Sequence, residues 1–471
     1  MSNDTQLSRN FKSIVNENTG LMEVGYGFRN AEDANLFRNM YPYNSIPKLI
    51  FSQRDIPMNL PKQIFITDTT FRDGQQSVSP YSVEEIYDLF CLLNKLDNGS
   101  GIIKQSEFFL YSEKDKKAVE KCREAGFEFP EITSWIRAKK EDLQIVKDFG
   151  IKETGMLLSC SDYHIYHKLG WDREQAMKNY LEIVRDALEA GIKPRCHLED
   201  ITRANISHFV LPLAEELMKL SAEYGAPVKI RACDTLGLGT SIQGVVLPRS
   251  VQQIVYNLHN YAGVPSECLE WHGHNDFYNA VPNAVTAWLY GCASVNTSLL
   301  GIGERTGNTP LEAMVIEYCQ IKGNHGGMKL EVITEIAEYF EDKLNYDIPA
   351  RTPFVGRAFN ATRAGVHADG LMKNEEIYNI FDTTKILGRP PIVIVDAVSG
   401  HAGIAAWVNT YFNLKAGRQI DKRHPAVDKM KDLVDAQYAA GRNTSMGDVE
   451  LEKMAYRLMP ELLKIRENRT E

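Results

Sequence analysis

Arg72-Asp73-Gly74, at the end of the apolar run IFITDTTF, puts a cation and a carboxylate side by side at a strand tip. Alone, such a pair is ordinary turn or surface chemistry. Two other strand tips carry groups of matching kind: RCHLED holds Glu199, and EWHGHND holds His272 and His274. Histidines two residues apart on a strand share a face, so both imidazoles aim at one point. With a carboxylate such as Asp73, that N, N, O set suits Mn2+, Fe2+, Co2+ or Zn2+ better than Ca2+, and Mg2+ with more oxygens. A divalent ion with open positions chelates a 2-oxo acid through its carboxylate and ketone oxygens and polarises the carbonyl. Arg72 then offers fixed positive charge to an enolate oxygen. Glu199 either shares protons in that chemistry or is the ion-pair partner of Arg72.

These residues need a scaffold that gathers strand ends. From residue 63 to residue 323, β-rich runs alternate with amphipathic helical stretches at a pitch of roughly 30 residues. Strands are expected at 63–70, 106–112, 131–136, 153–159, 193–199, 228–234, 269–274 and 294–300, and Gly126, Gly150 and Gly191 stand where helices close. Eight such units predict an α/β fold, a parallel sheet closed into a (β/α)8 TIM barrel. A doubly wound sheet would more often carry a Gly-rich phosphate loop after its first strand, and DTTFRDGQQ has a single glycine. Barrel chemistry sits at the C-terminal strand ends. Polar tips fall there: Arg72 and Asp73, the run from Ser161 to His164, Glu199, Asp234 with Thr235, His272 with His274, and Glu304 to Asn308. Residues 1–62 read as an N-terminal extension. Residues 324–471 read as a C-terminal helical subdomain ending in a charged amphipathic helix near 446–467.

The bulk composition excludes several classes. With 53 Lys+Arg against 62 Asp+Glu the formal charge is −9, which suits neither nucleic acid nor an anionic membrane. The 8 cysteines are scattered without CxxC spacing, as in reduced cytoplasmic proteins. No apolar run is long enough to span a membrane, and MSNDTQLSRNFK lacks a signal-peptide core, so a cytoplasmic, soluble chain is expected.

TTFRDGQQ, LED at the fifth strand, ACDTLG at the sixth, HGHND at the seventh and GIGERTGN at the eighth together resemble the metal-dependent Claisen-condensing barrels. That family holds the 2-isopropylmalate, homocitrate, citramalate and Re-type citrate synthases. RAGVHADGLMKNEEIYNIF is similar to the histidine segment of their C-terminal subdomain, and the resemblance runs over residues 63–400. It implies Asp73, His272, His274 and Asn308 as metal ligands, with Mn2+ first and Mg2+, Co2+ or Zn2+ as alternatives. It implies Arg72 as the enolate-stabilising arginine with Glu199 beside it. Gln76 falls near the metal, Thr235 on the oxo acid's carboxylate, and His164 among the substrate-binding residues. His367 and Tyr378 match residues that one protomer donates to the other's barrel, assisting deprotonation of the acetyl group of acetyl-CoA. A homodimer with shared sites follows.

The fifth strand bears on the oxo acid. In KPRCHLED, Arg195, His197 and Glu199 alternate and face one way. A guanidinium in the pocket would pair a second carboxylate on the substrate, unless Arg195 pairs instead with Glu153. Trp135 stands where homocitrate synthases carry a histidine and shortens the pocket, which favours oxaloacetate over 2-oxoglutarate. The expected reaction is condensation of acetyl-CoA with oxaloacetate, with isopropylmalate or homocitrate synthesis as alternatives. The residues after Asp421 are too few for a leucine-sensing domain. A lyase on this scaffold would use a C-terminal cysteine loop, and no Cys follows Cys319. A non-catalytic descendant would be expected to lose one of Arg72, Asp73, His272 or His274, and all four are present.

Overall fold

Eight parallel strands close into a barrel in the computed structural model, which describes residues 12–15, 22–38, 40, 56–363, 365–414 and 417–463. They are β1 (Phe65–Asp68), β2 (Ile103–Phe108), β3 (Glu131–Arg137), β4 (Glu153–Ser159), β5 (Lys193–Glu199), β6 (Lys229–Asp234), β7 (Leu269–Gly273) and β8 (Ser294–Thr297). Each pairs with its neighbour in sequence, and β8 closes on β1 through Ser294–Phe65 to Thr297–Asp68. A helix follows every strand: α1 (Val83–Asp97), α2 (Glu113–Glu124), α3 (Lys140–Phe149), α4 (Arg173–Glu189), α5 (Leu211–Tyr224), α6 (Val251–Asn260), α7 (Ala280–Tyr290) and α8 (Leu311–Lys322). The (β/α)8 expectation therefore holds.

Local chemistry sets these boundaries. Ser82 and Ser112 open α1 and α2 with capping boxes through Glu85 and Asp115, and Asp172 and Ser250 cap α4 and α6. Gly150 and Gly225 end α3 and α5 in the left-handed conformation. The second strand departs from its expected place at 106–112. It starts at Ile103, where the ladder to Ile66 begins, and is over by Phe108. The apolar run FFLY misleads because its tail belongs to a turn that delivers Ser112 to the α2 cap. β1 also stops early, at Asp68, whose carboxylate accepts the Thr70 amide (3.1 Å) and hydroxyl (2.5 Å) and turns the chain toward Arg72.

The described residues up to Lys329 form one compact unit and those from Leu330 a second. The boundary falls slightly later than residue 324 because the stretch after α8 returns to the barrel. There the Lys329 amide donates to the Leu96 carbonyl (2.9 Å) and Asn98 Nδ2 to the Gly327 carbonyl (3.0 Å). The second unit is mainly helical, with its core built around Ile404, Trp407, Val427, Met430 and Leu451. Its last long helix is Asp448–Leu458, and the end of the expected 446–467 helix lies outside the described residues. Among the described residues no helix is long and apolar enough to cross a membrane.

Candidate active site

His272 is the penultimate residue of the wholly buried β7, and His274 follows the strand, bridged to Asn308. Strand alternation sends both rings inward, and their Nε2 atoms lie 3.2 Å apart. Asp73 Oδ2 comes within 4.0 Å of His272 Nε2 and 3.8 Å of His274 Nε2. One donor atom from each of the three lies within 4.8 Å of the others, and all three residues are buried. The tautomer of His272 follows from its neighbours. Asn296 Nδ2 donates to Thr67 Oγ1 (2.9 Å), so Asn296 Oδ1 is the acceptor for His272 Nδ1–H (2.8 Å). The Nε2 lone pair is then left for the centre of the triangle.

The charges suit a cation. Burial, then the His274 neighbour, push His272 down to about 3, and burial lowers His274 as well, so both rings are neutral. Burial works against the Asp73 carboxylate, but the Arg72 guanidinium beside it outweighs that and holds it down to about 2. Asp73 Oδ2 and Asn308 Oδ1 are sealed from water with no hydrogen-bond partner among the described residues. Two imidazole nitrogens, an ionised carboxylate and an unpaired amide oxygen are the donor set a divalent transition metal takes.

Arg72 is fastened beside that triangle. Its Nε donates to Glu107 Oε1 (2.8 Å) and its Nη1 to Asp73 Oδ1 (2.9 Å), with the guanidinium 5.4 Å from the Trp135 ring centre. Glu107 is the ion-pair partner for which Glu199 had been a candidate. It is fully buried on β2 and also meets Arg231 Nη1 (3.1 Å), His197 Nε2 (3.4 Å) and Arg195 Nη1 (3.5 Å). Sequence reasoning missed it because its partners Arg72 and Arg231 are distant along the chain. The available signal was a glutamate in a β-rich run, two residues from the inward-pointing Gln105.

Glu199 is engaged elsewhere. Its carboxylate takes the Ser159 hydroxyl, His164 Nδ1 (2.9 Å) and Lys168 Nζ (3.0 Å). Burial raises its pKa, but His164, Ser159 and Lys168 outweigh that and hold it at about 2, so it is an anion at neutral pH.

Arg195 does not reach the cavity. It is 1% exposed and bonded to Glu153 and Gln105, with Glu270 Oε2 3.7 Å away, and Lys229 completes the cluster at 2.8 Å from Glu153. The clamp reading is corrected for a simple reason: Arg195 lies four residues, about 13 Å, below Glu199 along the strand. The alternative partner, Glu153, is the one it takes. Arg195→Leu is therefore expected to leave the buried carboxylates of Glu107, Glu153 and Glu270 one cation short and to cost about 3–5 kcal/mol of stability. Denaturant unfolding checks this, and a selective rise in the KM for oxaloacetate at unchanged stability would contradict it.

Above these layers is a cavity of about 210 Å³. Arg72, Asp73, Gln76, Glu199, Thr235, His272 and His274, all picked from the sequence, line it, and Trp135 stands in its wall as expected. His164 and Asn308 support it from behind through Glu199 and His274. Leu157, His197, Cys233, Glu304 and Arg305 also contribute. His197 fits because β4 has a glycine beside it: a Cβ on Gly155 would lie 2.6 Å from His197 Nε2. Thr235 Oγ1 accepts the Asp200 amide (2.8 Å), which fixes its hydroxyl at the rim. His367 and Tyr378 belong to the second unit, where both are exposed and their ring centres are 4.3 Å apart.

The sequence profile of the HMGL-like family matches residues 63–339, the whole barrel. The chain belongs to the HMGL-like family. It is 60% identical over 444 residues to citrate (Re)-synthase of Clostridium kluyveri, covering 94% of this chain and 98% of that protein. It is 51% identical over 437 residues to citrate (Re)-synthase of Syntrophus aciditrophicus, covering 93% and 70% respectively. A more distant relative, 2-phosphinomethylmalate synthase of Streptomyces hygroscopicus, is 36% identical over 435 residues, or 90% of this chain and 96% of that one.

Proposed function

We propose that this chain is a Re-type citrate synthase, joining acetyl-CoA and oxaloacetate to give citrate and CoA. The observation that carries this is the near full-length 60% identity to a citrate (Re)-synthase, which spans both units. The convergence of Asp73, His272, His274 and Arg72 supports it. In the reaction, the acetyl methyl carbon bonds to the ketone carbon of oxaloacetate, and water then cleaves the thioester and releases CoA.

Asp73, His272 and His274, with Asn308 Oδ1, would hold a divalent ion, Mn2+ in our reading. When bound, that ion supplies a Lewis acid for the ketone. The other roles fall to side chains. Arg72, held rigid by Glu107 and Asp73, faces the oxygen that gains charge, and such preorganised donors stabilise it without reorganising. Thr235 and Gln76 take the 1-carboxylate of the oxo acid. Glu199, an anion fixed by His164 and Lys168, orients the substrate. His367, paired with Tyr378, takes the methyl proton of acetyl-CoA in the barrel of the partner protomer, which makes the active unit a cytoplasmic homodimer.

The test is CoA-thiol release from acetyl-CoA with Mn2+ under anaerobic conditions, comparing oxaloacetate, 2-oxoglutarate, 2-oxoisovalerate and pyruvate. At least about a hundredfold preference in kcat/KM for oxaloacetate is expected, since a polar site discriminates strongly against analogues that lack its partner group. Preference for 2-oxoisovalerate would replace this reading with isopropylmalate synthesis.

A further inference from the structure

The N-terminal segment from Gly27 to Arg38 has no role in the chemistry above, yet it is bonded repeatedly to the barrel mouth. Its contacts fall chiefly on the loop between β4 and α4, residues 160–172. The Asn35 amide donates to Asp162 Oδ2 (2.6 Å), the Tyr163 hydroxyl to the Leu36 carbonyl (2.7 Å) and the Tyr166 hydroxyl to the Ala31 carbonyl (2.5 Å). Arg173 locks the same corner, with Nε and Nη2 on Asp162 (2.9 and 2.7 Å) and Nη1 on the Arg29 carbonyl (3.1 Å). Further back, the Gly27 and Arg29 amides bond the Ser207 and His208 carbonyls (3.2 Å each).

The inner side of that loop holds Glu199. Of the three side chains on its carboxylate, His164 and Lys168 come from the loop, one residue and five residues after Tyr163. Tyr163 itself lies against Arg203, whose guanidinium is 4.0 Å from its ring centre. Arg203 in turn binds Asp200 (2.8 Å), the residue after Glu199. One tyrosine thus joins the N-terminal segment to both sides of the Glu199 tip.

We propose that the segment from Gly27 to Arg38 is a strap that positions Glu199, with Tyr163 as its fastening to the mouth. A loop of this length is free to shift by fractions of an ångström unless tied, and a small misplacement of a substrate-orienting group is costly in rate. The strap removes that freedom on the outer face while His164 and Lys168 transmit the position inward. Tyr163 is here a positioning residue and touches no substrate. The inference rests on Glu199 being a working group of the site.

A double-mutant cycle tests it in the full-length protein. Tyr163→Phe removes one hydroxyl and keeps the ring, and is expected to lower kcat/KM for oxaloacetate about fivefold, the worth of one hydrogen bond. Glu199→Gln should lower it further by itself. In the Glu199→Gln background, Tyr163→Phe should then have an effect of less than about twofold, because the group it positions is gone. An equal fivefold effect in both backgrounds would overturn the strap while leaving the site intact. Unchanged activity in Glu199→Gln alone would overturn the role of Glu199 and the strap with it. Tyr166→Phe, which cuts a second fastening, should show the same dependence on Glu199.

Discussion

His274→Ala is expected to abolish stoichiometric metal binding and to lower kcat at least about a thousandfold, equivalent to about 4 kcal/mol of barrel-mouth chemistry. Three protein ligands are the usual minimum for a catalytic divalent site, and among the described residues the triangle of Asp73, His272 and His274 has no spare member within its 4.8 Å span. Removing one ring leaves an acid and one imidazole, too few to hold the ion against water. Asn308 Oδ1, although unpaired, is a neutral amide and a weak substitute. Metal content of the purified variant and its turnover should fall together, with a normal circular dichroism spectrum showing that the barrel remains folded. A variant that keeps its metal and its rate would show that the ligand set is misassigned.

Arg72→Lys is expected to keep the metal and to lose about a hundred- to a thousandfold in kcat with KM nearly unchanged, the size of effect seen when one preorganised oxyanion donor is removed. The charge is conserved, so the loss must come from geometry. The guanidinium uses Nε on Glu107 and Nη1 on Asp73, which leaves its remaining N–H groups aimed by two fixed anchors. An ammonium cannot meet both anchors and still face the substrate, because its donors radiate from one atom on a flexible stem. Steady-state kinetics with metal analysis separates this outcome from loss of the site. A rate within threefold of the parent would mean that bulk positive charge is enough and that the clamp by Glu107 is incidental to catalysis.

Arg195 and Glu107 show where reading a chain from its residues succeeds and where it fails. The alternation that placed His272 and His274 on one face is a property of any extended strand, so the metal triangle was open to inspection once Asp73 was assigned to the end of β1, separated from β7 only by β8. The same alternation placed Arg195 and Glu199 on one face, also correctly. It carries no information on height, and Arg195 sits in a buried layer with Glu153 and Gln105 beneath the cavity. Glu107 was overlooked for the complementary reason: its partners Arg72 and Arg231 are 35 and 124 residues away. Alternation with Gln105 turns it inward, but nothing local marks such a glutamate as a hub for two arginines.

The sequence by itself determined the element order, the eightfold alternation, the polar strand tips and the donor types, because these depend on short-range periodicity, capping and side-chain chemistry. The tertiary structure decided which carboxylate holds Arg72, which arginine reaches the cavity, and that the N-terminal segment lies over the loop carrying His164 and Lys168. Those are distances across a closed barrel. They are set by how each strand is staggered against its neighbours, and stagger arises only when β8 pairs with β1 and every layer of inward side chains must be filled at once.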